Sequence, residues 1–115
     1  MPANDDMPIV FMVTAGGRND AERLGEELVV GHLAGSCSVV PSVHSFYQSD
    51  GLLQRDTEAL LIVRTVSSKR QAVMEYLNAH ESDTRSEVLE IKVVGGSVPY
   101  LEWLAEQVAK SGSDR

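Results

Sequence analysis

A chain of 115 residues holds one domain-sized core and leaves no room for two. Hydrophobic residues make up 43% and charged residues 23%, the balance of an ordinary globular protein. Seventeen acidic residues against ten basic ones give a formal net charge of -7, which repels phosphate backbones and sets nucleic acid aside as a partner.

In chain order, Met1–Met7 and Ser111–Arg115 are polar and without apolar periodicity, and read as flexible tails around a single domain over 8–110. Ile9–Val13 is an apolar run too short for a helix and reads as a buried strand, broken by Gly16-Gly17. Asn19 and Glu22 have capping-box spacing. Ala21, Leu24, Leu28 and His32 then recur at helical intervals, predicting a helix from Asn19 to Leu33.

Val39–Tyr47 reads as a strand whose Pro41 marks an edge or a bulge. Ser49-Asp50-Gly51 is a turn, and Thr57–Val66 returns as the second arm of a hairpin. Ser68 and Gln71 again match a capping box, and Val73, Tyr76, Leu77 and His80 share one helical stripe. Leu89, Ile91 and Val93 alternate with Glu90 and Lys92, predicting a strand with one buried face. After Gly95-Gly96, Ser97 and Pro99 open a last helix that runs to about Ala109.

The order β-α-β-β-α-β-α predicts an α+β fold: a ferredoxin-like βαββαβ sandwich with an additional C-terminal helix. Two helices cover one face of such a sheet. Yet Ala59, Leu61 and Val63 point to one face of the hairpin strand while Glu58, Leu60, Ile62 and Arg64 point to the other, so both faces carry apolar residues. On the last helix, Leu101, Leu104, Ala105 and Val108 form one stripe, and Tyr100 and Trp103 lie toward another side. Uncovered apolar surface of this kind meets a partner, and a homo-oligomer is the economical one.

No apolar stretch is long enough to span a bilayer, so no membrane contact is expected. The first seven residues hold Asp5 and Asp6 and no basic side chain, unlike the start of a secretory signal. Cys37 is the only thiol, so neither an intrachain disulfide nor a multi-thiol zinc site can form. These features predict a cytoplasmic protein.

Several short motifs, in order and with matching spacing from Ile9 to Val108, resemble the CutA family of divalent-cation tolerance proteins. Leu33-Ala34-Gly35-Ser36-Cys37-Ser38-Val39-Val40-Pro41 stands for the family's Leu-Ala-Ala-Cys-x-Asn-(Ile/Val)-x-Pro. Ser45-Phe46-Tyr47 with Gly51 follows its Ser-x-Tyr and Gly turn, and Glu58 with Arg64-Thr65 its Glu and Lys-Thr. Tyr100-Leu101-Glu102-Trp103-Leu104 meets Tyr-Leu-x-Trp-(Ile/Leu) in full. The resemblance implies a PII/CutA-like homotrimer with clefts between subunits and a role in tolerance to copper and other divalent metals.

The chain departs from the family pattern in three places. The family cysteine falls at Ser36 and the thiol one position later, which on a strand turns the sulfur to the opposite face. The family's His-Pro-Tyr-Glu-x-Pro-Glu is reduced to His80, Asp83 and, after a one-residue insertion, Glu87. Gln48 and Ser49 stand where a tryptophan often follows the family tyrosine.

A copper or zinc site needs converging imidazole, thiolate or carboxylate ligands. His80, Asp83 and Glu87 are the candidate set, with Cys37 as a soft fourth donor. The ordinary readings are a helix-terminal His80, solvated loop carboxylates as the default for Asp83 and Glu87, and a small buried thiol at Cys37. His32 and His44 have no ligand spacing; His32 is expected to cap its helix and His44 to face solvent or a partner. Cys37 and His80 form a nominal nucleophilic pair, but no orienting motif accompanies them. Gly16-Gly17 lacks the GxGxxG and Walker patterns and reads as a tight turn.

Tyr47, Glu58, Arg64, Tyr100 and Trp103 are expected to line the inter-subunit cleft. The combined expectation is a non-enzymatic trimer with no required cofactor, binding a divalent metal or small ligand at its clefts. The alternative is a PII-like module that binds a nucleotide or metabolite and signals to a protein. A third class is a small ferredoxin-like enzyme with an enclosed pocket around His80 or His44.

Overall fold

The computed structural model describes residues 6–80 and 87–109. Its elements are β1 (Pro8–Ala15), α1 (Arg18–Val30), β2 (Ser36–Ser49), β3 (Leu52–Val66), a 3-10 turn (Ser67–Lys69), α2 (Arg70–His80), β4 (Val88–Lys92) and α3 (Val98–Ala109). The four strands form one antiparallel sheet in the order β2-β3-β1-β4.

The two-residue period of β1 decides the core. Ile9, Phe11, Val13 and Ala15 are buried on one face, opposite Thr65, Val63, Leu61 and Ala59 of β3. Ala21, Leu24 and Leu28 of α1 and Val73 and Leu77 of α2 complete that cluster. Thr65, a buried polar residue on this face, donates its hydroxyl to the Leu33 carbonyl at 2.7 Å.

The helix ends differ from the capping boxes expected at Asn19 and Ser68. Gly17 precedes α1 with extended backbone and no side-chain cap. Before α2, Asp6 acts from a distant part of the chain: its carboxylate accepts from the Ser68 N–H, Ser68 Oγ and Ser67 Oγ. Met7 donates its N–H to Ser67 Oγ and accepts from the Ser67 N–H, so these two residues of the expected tail are tied down. The rest of both tails lies outside the described residues.

At the far end of α1, His32 sits at φ 61, its N–H bonded to the Val29 carbonyl, while Leu33 bonds back to Leu28. This is a left-handed helix stop, with histidine where glycine is usual. Ser97 opens α3 as expected, its Oγ accepting from the Tyr100 N–H.

The hairpin is longer than the sequence suggests. Strands β2 and β3 are joined by Asp50 and Gly51, both at positive φ, the turn whose twist suits a hairpin. Only Ala59–Val66 of β3 pairs with β1; from Leu52 to Glu58 it pairs with β2 alone, as a projecting arm. Pro41 lies in an edge strand and also at a bulge: Val40 pairs with Leu60 and Val43 with Glu58, so β2 carries one extra residue.

β4 corrects a second expectation. Leu89 and Ile91 pair with Met12 and Val10, on the face away from α1 and α2, and remain 63% and 41% exposed. Their apolar alternation is real, but no helix among the described residues covers them, and Val93 falls past the strand.

Candidate functional site

The open face of the sheet has an apolar floor: Val10 and Met12 of β1, Leu60 and Ile62 of β3, and Leu89 and Ile91 of β4. Polar groups gather at its two ends.

At one end, α3 crosses the sheet. The Arg64 guanidinium donates from Nη1 to Ser36 Oγ at 3.1 Å and from Nη2 to Ser38 Oγ at 2.9 Å. Ser36 Oγ also lies 3.1 Å from the Tyr100 hydroxyl. Tyr100 and Trp103 pack at 5.6 Å between ring centroids, and each is about 40% exposed. Beneath α3 lies a cavity of about 160 Å³, lined by Val10, Arg64, Val93, Tyr100, Leu101 and Leu104 among others.

At the root of the arm, Ser45, Phe46, Tyr47, Glu58 and Glu87 line an open recess of about 470 Å³. The Tyr47 hydroxyl donates to Asp56 Oδ2 at 2.8 Å. Glu87 is positioned by β1, its N–H donating to Thr14 Oγ1 at 3.0 Å. Glu58 and Arg64 share the open face, as their spacing suggests, but line separate recesses at its two ends.

Cys37 lies on the other side of the sheet, in a groove between α1 and β2 with Glu22, Gly25, Glu26, Val29 and Val39. Burial pushes its thiol up to about 11, and the Arg64 charge offsets part of that rise. His80 ends α2, its ring stacked on Tyr76 at 4.2 Å and its Nδ1 2.9 Å from the Tyr76 carbonyl. The Tyr76 hydroxyl donates to the Glu27 carboxylate; burial first, and that bond second, push it up to about 12.

The metal candidates are thus spread out. Glu87 is in the arm recess, His80 on Tyr76 and Cys37 against α1, while Asp83 lies outside the described residues. Among the described residues no three of His, Cys, Asp and Glu come together as a metal-holding group. No hydrogen bond among the described residues joins Cys37 to His80, and His44 is exposed on the edge strand. Sequence reading missed Ser36 and Ser38 as partners of Arg64, and Asp56 as the partner of Tyr47. The register of the hairpin is the signal that finds them.

Residues 9–107 match the family described as CutA1 divalent ion tolerance protein. The chain belongs to the CutA1 family. It is 36% identical to the chloroplastic protein CutA of Arabidopsis thaliana over 84% of this chain, and spans about half (53%) of that relative's length. The divalent-cation tolerance protein CutA of Escherichia coli is 30% identical, with 84% of this chain and 86% of that protein aligned. The crystal structure of CutA1 from Oryza sativa superposes with a TM-score of 0.83 at 33% identity, covering 88% of this chain and 93% of that one.

Divalent ion or cation tolerance is named for the family and for the Escherichia coli relative, and the matches lend nothing to the PII-like alternative. Among the described residues no helix is long and apolar enough to cross a membrane. One relative is chloroplastic by name, so CutA1 membership alone does not place this chain in the cytoplasm.

Proposed function

We propose that this CutA1 chain is a non-enzymatic, cytoplasmic homotrimer that serves divalent-metal tolerance by binding copper or zinc, or a small ligand, at clefts between subunits. The observation that carries the reading is the open sheet face. Leu89 and Ile91 stay exposed beside Val10 and Met12, and the polar ends hold Arg64 and Tyr100 on one side and Tyr47, Glu58 and Glu87 on the other. An apolar floor with polar ends suits a subunit contact that leaves clefts at its margins.

In this reading Glu87 and His80 supply carboxylate and imidazole donors from neighbouring parts of the assembly, a pair suited to copper or zinc. Isothermal titration of the full chain with copper, zinc and adenine nucleotides tests it. Metal binding at micromolar level that weakens about tenfold in His80→Ala and Glu87→Gln supports it. Nucleotide binding without metal binding contradicts it.

A further inference from the structure

We infer that the end of the open face beneath α3 is a seat for a small monocarboxylate with a short apolar tail, its head on Arg64 and its tail in the adjoining cavity. The inference rests on the cleft reading above and names the ligand class at one of its ends.

Arg64 has five N–H donors, and the two bonds to Ser36 and Ser38 use two of them. Both acceptors are neutral hydroxyls, and among the described residues Arg64 forms no ion pair. Among the described residues, Ser36 and Tyr100 share one proton across their 3.1 Å contact, which leaves the other O–H without an acceptor, and the Ser38 proton has none either. The cluster therefore has spare donors and a positive charge, with no anionic acceptor among the described residues. In a chain of net charge -7 carboxylates are plentiful, yet none of the described ones reaches this guanidinium. Arg64 is already half-buried, and a second copy over this face would remove more of its water. A desolvated cation needs a charged partner. The planar guanidinium fork matches a carboxylate.

The cavity beneath α3 adjoins this cluster. Its volume of about 160 Å³ lies against the same Arg64, with Val10, Val93, Leu101 and Leu104 as apolar walls. A dry apolar cavity of about 150 Å³ accommodates a six-carbon ring, so a tail of four or five carbons fits this one. A bare phosphate would leave the walls uncovered, and an alcohol would leave the guanidinium unpaired.

The test is isothermal titration of the full chain with valerate, with inorganic phosphate as head alone and 1-pentanol as tail alone. Light scattering is run on the same samples. Valerate is expected to bind at least about tenfold more tightly than either control, and Arg64→Gln to lose at least about tenfold of that affinity. Leu101→Phe, which fills the cavity and keeps Arg64, is expected to weaken valerate while phosphate is unchanged. Absence of valerate binding, equal binding of phosphate or pentanol, or full affinity in both variants would overturn the site. A trimer that ignores valerate removes this site and leaves the assembly standing; a monomer that binds valerate does the reverse.

Discussion

Arg64 faces Ser36, with Nη1 3.1 Å from Oγ, although counting back from the Asp50-Gly51 turn without interruption would set Cys37 opposite Arg64. The extra residue at Pro41–Ser42 shifts the count by one. Because side chains alternate, that single residue puts Ser36 on the open face and the Cys37 sulfur against α1.

Cys37 is therefore expected to be a slow thiol. With its pKa pushed up to about 11, the thiolate is scarce at neutral pH, and alkylation by iodoacetamide should run at least about tenfold slower than for an unfolded control. The linked stability has a defined sign. The folded state holds this proton more tightly, so the contribution is fully present below the ordinary value near 9 and is lost as pH rises to about 11. Urea denaturation between pH 8 and 11 should show a steeper alkaline loss for the wild type than for Cys37→Ala. Parallel curves would contradict this. Tyr76, raised from its ordinary 10 to about 12, loses its own contribution over that overlapping range in both proteins, so the difference between the two curves isolates Cys37.

Asp6→Ala should cost about 1 kcal/mol, the usual worth of a helix cap, since the carboxylate serves Ser67 and the Ser68 N–H at the turn that opens α2. Urea denaturation reads it. An unchanged midpoint would mean that this N-terminal clip does not hold in solution.

His32→Gly should stabilise the chain by up to about 1 kcal/mol. A left-handed residue with a Cβ is strained, and φ 61 at His32 ends α1 with that strain in place. The comparison is a thermal midpoint at fixed concentration.

Gly35→Ala acts the other way. A methyl at this position runs into Leu104 Cδ1, and Leu104 is buried under α3. Displacing it should cost about 1–3 kcal/mol and loosen the seat of Tyr100. The expected signs are a lower urea midpoint and faster amide exchange in α3.

Much of this arrangement is legible in the residues. The run Ile9–Val13, the Asp50-Gly51 turn and the stripes of α1 and α2 each carry their structure in local pattern, because the burial period and the turn geometry are local. The two capping boxes fail for the converse reason. Asp6 is more than sixty residues from Ser68, and no local spacing reveals a cap delivered by the fold. Alternation at Leu89 and Ile91 reports an apolar face without saying which surface covers it. The Arg64–Ser36–Ser38 cluster depends on a bulge that Pro41 signals in kind, while its size, one residue, is decided by where the two halves of the hairpin must pack.

Trp103→Ala and Leu89→Asp should both weaken assembly, the first by removing an aromatic anchor beside Tyr100 and the second by placing a charge on the apolar floor. Each is expected to raise the dissociation constant about tenfold or more, read from mass against concentration. Wild-type behaviour in both would remove these residues from the interface.

The most direct measurement is the molar mass of the full chain by light scattering across a dilution series. The account predicts about three times the 12.5 kDa of one chain, holding to low concentration, with the exposed face of β1, β3 and β4 covered by neighbouring copies. A persistent 12.5 kDa species that stays folded with Leu89 and Ile91 in water would contradict it.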